Sequence, residues 1–254
     1  MPLASHARLT GRLGSRVLLP DAGITARLRQ VKSPAEIARI ETIIAIATRA
    51  FDRVPDFAAP GVPLSTVFRR FQMALLDEGA DWVPYLAGAA GPGGYGDVIS
   101  PADDRPLAVG DVLMLDTGAV RDGYFCDFDR NFAIGPPGPG VAEAHARLIE
   151  ATEAGMASAL PGARFCDLHA AMEAVVRLGP GGGRLGHGLG MQLTEGPSIL
   201  PADDTVLVPG MVLTLEPSVK VTGDRLMVHE ENIVIEDGGP RMLTRPEPRE
   251  IRVL

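Results

Sequence analysis

Laid over itself at an offset of 216 − 116 = 100 residues, the chain repeats: Leu107-Ala108-Val109-Gly110-Asp111-Val112-Leu113-Met114-Leu115-Asp116 matches Leu207-Val208-Pro209-Gly210-Met211-Val212-Leu213-Thr214-Leu215-Glu216. Each copy reads as a glycine turn feeding a strand rich in Leu and Val, and each strand ends on a carboxylate where a core residue is expected. A second echo lies upstream. Pro60-Gly61-Val62-Pro63 precedes a helical pattern of Val67, Phe68, Phe71, Leu75 and Leu76, and Pro161-Gly162-Ala163 precedes Leu168, Ala171, Met172, Val175 and Val176.

Ser33-Pro34-Ala35-Glu36 combines an N-cap, an N1 proline and a capping-box glutamate, and it opens a helix with Ile37, Ile40, Ile44 and Ala47 on one face. The segment from Pro139 to Leu160 is its counterpart. Two α-α-β-β units, each too small to cover its own strands, predict an α+β fold with pseudo-twofold symmetry: strands of both halves form a curved, antiparallel-rich sheet with helices over it. Residues 1–32 read as a short N-terminal extension and 33–254 as one domain, with halves at about 33–135 and 139–254. Gly135-Pro136-Pro137-Gly138-Pro139-Gly140 is the expected seam, and neither half should fold alone.

Strand alternation in Phe125-Cys126-Asp127-Phe128-Asp129-Arg130-Asn131-Phe132 puts Asp127, Asp129 and Asn131 on one face and Cys126, Phe128 and Phe132 on the other. Glu230 and Asn232 occupy the corresponding places in Glu230-Glu231-Asn232-Ile233-Val234-Ile235. A single acid of this kind is as readily a solvated strand end as a ligand. Four of them converging, Asp116, Asp127, Glu216 and Glu230, would repel one another and raise each other's pKa, so two divalent cations are the economical way to keep all four ionised. Oxygen-rich ligation suits Mn, Co, Fe or Zn better than Cu. His187, inside Gly186-His187-Gly188-Leu189-Gly190, is the candidate nitrogen ligand, although a lone histidine is more often structural. Those glycines lack the spacing of a dinucleotide fingerprint.

These motifs resemble the pita-bread metallopeptidase superfamily of methionine aminopeptidase, Xaa-Pro aminopeptidase, prolidase and creatinase. The resemblance is carried by Asp116-Thr117-Gly118, Asp127, the glycine-flanked His187, Leu215-Glu216-Pro217 and Glu230 before Ile233-Val234, and it runs from about Val31 to the end. The spacing of Asp116 and Asp127 is closer to the Xaa-Pro peptidase, prolidase and creatinase branch. The resemblance implies a dinuclear hydrolase that cleaves a C–N bond with metal-activated water, manganese being the first candidate ion. It implies Asp116 on one metal, Asp127 and Glu230 bridging both, and His187 and Glu216 on the second, with Glu216 also the catalytic base. A homodimer is a further implication.

Members of that superfamily also carry a histidine at about Ile99, another at about Thr194 and an arginine at Val228, and this chain has none of the three. Alternatives therefore stand beside the peptidase: a creatinase- or ectoine-hydrolase-like enzyme acting on a small non-peptide, or a catalytically silent binding protein of the same fold. Asp129 and Asn232 are candidates for the shell around the ligands, since each shares a face with a ligand two residues away. His229 points to the other face by alternation. Trp82, Tyr85 and Tyr95 line a pocket mouth or pack in the core, two roles that composition does not separate.

The net charge of −8 disfavours nucleic acid or an anionic membrane as partner and permits cations, leaving a small peptide or amide as substrate. With no long apolar run and no signal-peptide pattern at the start, the expected compartment is the cytoplasm. Cys126 and Cys166, the only cysteines, sit in apolar surroundings that suit buried free thiols rather than a disulfide.

Overall fold

The computed structural model describes residues 2–14, 23–99, 101–179 and 181–254, so part of the predicted extension lies outside the described residues. Two helices, α1 (Leu3–Leu13) and α2 (Ile24–Gln30), precede the repeat and bury no residue. The first half then runs α3 (Pro34–Asp52), α4 (Leu64–Asp77), β1 (Trp82–Pro92), β2 (Asp111–Arg121), β3 (Tyr124–Phe125) and β4 (Phe128–Ala133). The second half opens with α5 (Val141–Ser158) and α6 (Phe165–Val176). It continues through β5 (His187–Gly188), β6 (Glu195–Ser198), β7 (Val212–Leu215), β8 (Ser218–Thr222), β9 (Arg225–Val228), β10 (Glu231–Glu236), β11 (Gly239–Met242) and β12 (Arg252–Val253).

Local chemistry explains the helices. The Ser33 hydroxyl accepts the Glu36 N–H at 3.4 Å and the Glu36 carboxylate accepts the Ser33 N–H at 2.8 Å, so the predicted capping box closes both ways at the start of α3. The apolar stripe of α3 is wider than the spacing suggested, because Ile43, Ile46, Ala50 and Phe51 are buried along with Ile40, Ile44 and Ala47. In α4, Val67, Phe68, Phe71 and Leu75 turn inward while Leu76 is exposed, since it falls a full step off the buried stripe. The Phe51 ring lies 4.6 Å from Phe71 and 5.2 Å from Phe128, centroid to centroid, which locks α3 and α4 onto β4. Cys126 is buried as expected, whereas Cys166, at the solvent side of the first turn of α6, is only half-buried.

The strands form two five-stranded sheets, and the first of them takes its last strand, β12, from the second half. The first has the order β1-β2-β4-β12 with β3 on β2, the second the order β11-β10-β7-β5-β6, and β8 and β9 form a separate hairpin. Every pairing is antiparallel except β4 with β12. Leu113 and Leu115 of β2 join the core beneath α3 and α4, and Val112 and Met114 join the core beneath α5. A strand covered on both faces leaves nowhere for a solvated acid, yet Asp116 stands on it.

The repeat did not reveal how the halves meet. No backbone ladder runs from β4 to β10. The Asn232 side-chain oxygen accepts the Asp127 N–H at 3.2 Å, and the Asp129 carboxylate accepts the Glu230 N–H at 3.0 Å, an exchange related by the pseudo-twofold. The Asn232 amide donates to the Asp127 carbonyl, and Arg130 donates to the Glu230 carbonyl at 3.2 Å. Side chains thus satisfy the backbone groups that a continuous ladder would have paired.

Candidate metal centre

Asp116 is held near the end of a buried ladder, where its residue pairs with Asp129 across β2 and β4. Asp127 enters β4, Glu230 enters β10, and Glu216 follows β7, so the seam between the two sheets gathers four acids from both halves. Asp127, His187 and Glu230 each offer a ligand atom, and these atoms lie within 4.8 Å of one another. Asp116 and Glu216 flank this trio, close enough for their charges to act on it. Of the five residues predicted from the sequence, the structure groups Asp127, His187 and Glu230 and sets Asp116 and Glu216 near them.

Burial is the first cause of its electrostatics. Asp116, Asp127, His187 and Glu230 are each less than a tenth exposed. Burial pushes the carboxyls of Asp116, Asp127 and Glu230 well above the usual carboxylate range, and the charges of their neighbours push them further. Glu216 rises to about 7 for the same first reason, with the Arg184 guanidinium, 3.7 Å away, opposing the rise. His187 falls to about 4, because burial disfavours the imidazolium. Its Nδ1 lies 2.9 Å from the Gly188 carbonyl. A neutral ring donating there presents Nε2 as a lone pair, 3.3 Å from Asp127.

The donor set fits divalent metal ions. Among the described residues, Asp116 Oδ1, Glu216 Oε2 and Glu230 Oε1 are buried without a hydrogen-bond partner, Glu216 Oε2 having only the Arg184 guanidinium at 3.7 Å. Unpaired buried acceptors of this kind are costly unless a cation satisfies them.

Gly186 sets the approach of His187. Its φ is +140°, and a Cβ there would stand 2.1 Å from the Thr214 carbonyl oxygen. Gly186→Ala is expected to cost about 1–3 kcal/mol of stability through strain and overpacking and to weaken metal binding by displacing His187. Denaturant unfolding with and without metal checks both; an unchanged midpoint would contradict the close packing.

Asp129 and Asn232 reach across the seam to backbone amides of the opposite half, rather than to the carboxylate on their own strand. The structure also settles residues whose roles the sequence left open or did not raise. Tyr85 donates its hydroxyl to Asp116 at 2.9 Å, while Tyr95 is fully buried against Asn131 and Val228, and Trp82 is exposed. Arg184 stands at the rim. Behind the seam, Arg130 bridges Glu231 and Glu247, both at 3.0 Å, and His229 lies 3.2 Å from Glu231 and 3.6 Å from Asp129. Burial lowers the His229 pKa, but the carboxylates of Asp129 and Glu231 beside it outweigh burial and lift it to about 9. Ile99 and Thr194 are exposed and Val228 is half-buried, so none of these positions adds a titratable side chain.

The model of metallopeptidase family M24 matches residues 38–237. The chain is 30% identical to the uncharacterized peptidase YqhT of Bacillus subtilis, covering all of this chain and 73% of that one. It is 33% identical to the probable dipeptidase PepE of Mycobacterium tuberculosis, covering 94% of this chain and 64% of that one. The structure superposes on an X-Pro aminopeptidase from Thermotoga maritima with a TM-score of 0.88 at 29% identity, over 100% of this chain and 73% of that one. Among the described residues no helix is long and apolar enough to cross a membrane. The chain belongs to metallopeptidase family M24 and has the pita-bread fold.

Proposed function

We propose that the protein is a dinuclear metal-dependent hydrolase that cleaves the C–N bond of a dipeptide or similar small amide. The observation that carries this reading is the buried cluster of Asp127, His187 and Glu230, whose ligand atoms lie within 4.8 Å of one another, with unpartnered carboxylate oxygens on Asp116, Glu216 and Glu230. Asp116, Asp127, His187, Glu216 and Glu230 would hold two ions, manganese being the first candidate. Bound metal supplies Lewis acidity and lowers the pKa of water.

The chain's own residues do the rest. Tyr85 fixes one oxygen of Asp116, leaving the other to face the site. Asn232 and Asp129 fix the backbone of Asp127 and Glu230, which sets the spacing between the halves. Glu216 is the proton acceptor, because it is the member of the set that reaches solvent, its side chain 31% exposed.

Hydrolysis of a panel of Xaa-Pro dipeptides, other dipeptides, N-terminal Met peptides and small amides, with Mn, Co, Fe or Zn added, tests the reading. Ordinary Xaa-Pro dipeptides should turn over weakly, since Ile99, Thr194 and Val228 bring no imidazole or guanidinium to the carbonyl or leaving nitrogen. Those same positions favour a second reading, a creatinase- or ectoine-hydrolase-like reaction, and turnover of creatine or ectoine alone would select it. No turnover with metal bound would select the silent binding protein. A homodimer belongs to the same proposal, and a concentration-independent monomer in sedimentation would remove it.

Proton release tests the electrostatics. Glu216, raised from 4.5 to about 7, contributes stability to the metal-free protein that is fully present below pH 4.5 and lost as pH rises through about 7. Cations must displace the protons held by this group and its raised neighbours. Calorimetry at pH 6 in buffers of different ionisation enthalpy should show proton release, with affinity falling as pH falls below about 7. His187, at about 4, is already unprotonated there. Proton-neutral binding at pH 6 would contradict the raised carboxyls.

A further inference from the structure

A cavity of about 390 Å³ opens behind the seam, on the face of the chain turned away from the metal centre. Strand alternation separates the two. Glu230 turns into the ligand cluster, whereas its neighbours His229 and Glu231 line the cavity. Ile149, Thr152, Glu153 and Met156 form one wall, because their spacing brings them to one side of α5. Met242 of β11 and Glu247 of the C-terminal segment close it opposite. The floor is buried, with His229, Glu231 and Glu247 each less than a tenth exposed, and the mouth is at Glu153, whose side chain is 56% exposed.

Donors around this cavity are already spent. Each of the five N–H groups of Arg130 has an acceptor: the carbonyls of Asp129, Glu230 and Arg245 and the carboxylates of Glu231 and Glu247. The Thr152 hydroxyl donates to the Leu148 carbonyl at 3.2 Å, and the two ring nitrogens of His229 face Asp129 and Glu231. Both oxygens of Glu231 are committed as well, one to Arg130 and the other to His229 and the Glu247 N–H. Glu247 is different. One of its oxygens meets Arg130 at 3.0 Å, and among the described residues no donor meets the other. Glu153 likewise pairs one oxygen with Arg249. A buried carboxylate oxygen without a donor is costly, and here it adjoins a space of roughly a dozen water volumes walled by Ile149, Met156 and Met242.

We propose that this cavity binds a small organic cation, an ammonium or guanidinium on a short apolar chain. The charged head meets Glu247, and the chain lies against the two methionines and Ile149, whose flexible and apolar surfaces suit it. Glu153 at the mouth favours entry of a cation over an anion. The metal centre lies on the other face of the Glu230 segment, so both sites can be filled together.

Pentylammonium, 1-pentanol and pentanoate are the probes, and protein carrying ¹³C at its methionine methyls is the reporter, with and without added zinc. Pentylammonium should shift the Met156 and Met242 signals saturably, at least about ten-fold tighter than the other two, as expected for hydrogen bonds to a charged group. The exposed Met73 and Met191 should not move. Zinc should leave this response in place. Glu247→Gln should weaken it about ten-fold, and Met242→Trp, which fills the cavity and leaves the Arg130 network untouched, should abolish it at Met156. Equal responses to 1-pentanol or pentanoate, no response at Met156 and Met242, loss of the response on adding zinc, or wild-type affinity in Met242→Trp would each overturn the proposal.

Discussion

Glu216→Gln is expected to lower kcat by roughly 10²- to 10⁴-fold, the range a positioned general base supplies, while the folded structure is retained. The substitution nearly preserves volume and removes one negative charge and one proton acceptor. Glu216 follows β7, and its backbone N–H is already committed to Leu185, so the amide side chain can occupy the same place. No neighbouring group takes over. Ile99 and Thr194 are exposed and cannot titrate, and His187 donates from Nδ1 to Gly188 with its other nitrogen 3.3 Å from Asp127. Turnover of the best substrate, with thermal midpoint and metal content measured on the same samples, checks the expectation. Unchanged turnover would remove Glu216 from the chemistry.

The largest loss of stability should come from Arg130→Met. Arg130 is 4% exposed, and it contacts Glu231, Glu247, the carbonyls of Asp129, Glu230 and Arg245, and the face of the Phe128 ring. Removing it leaves the buried carboxylates of Glu231 and Glu247 without their guanidinium partner, and breaking a buried pair in this way costs about 3–5 kcal/mol. Urea unfolding should show that loss, with Arg130→Met/Glu231→Gln recovering part of it. A loss below about 1 kcal/mol would mean that water reaches the network. Its pH window follows from two shifts. Burial raises Glu231, but Arg130 and His229 hold it at about 2, so its contribution is present above pH 4.5 and lost as pH falls through about 2. His229, lifted to about 9, contributes fully below pH 6.5, and that contribution is lost as pH rises through about 9.

The repeat was legible because both copies keep the same local grammar, a glycine turn and a strand ending on an acid, and that grammar places Asp116 and Glu216 without any long-range information. Alternation put Asp127 and Glu230 on continuous strands, whereas the structure sets each of them one residue ahead of its strand, β4 or β10. Nor could alternation reveal that the face bearing Asp127 and Asp129 is buried as deeply as the face bearing Phe128, because burial of a second face depends on what covers it. The seam was hidden for the same reason. That Asp129 serves Glu230 and Asn232 serves Asp127 depends on contacts between residues about one hundred positions apart. Tyr85 could have been told apart from Trp82 and Tyr95 only by knowing that its register on β1 sets it beside β2 at Gly118, within reach of Asp116. Arg184, in a glycine-rich approach to His187, carried a local signal of position but none of partner.

The central claim is that this set of side chains holds two cations, and metal stoichiometry tests it most directly. Protein purified without chelator and titrated with manganese near neutral pH should bind close to two ions per chain. Its thermal midpoint should rise as the free ion concentration exceeds the dissociation constant, and Asp127→Asn should abolish most of that binding. No detectable binding of Mn, Co, Fe or Zn, or binding unaffected by Asp127→Asn, would contradict the account.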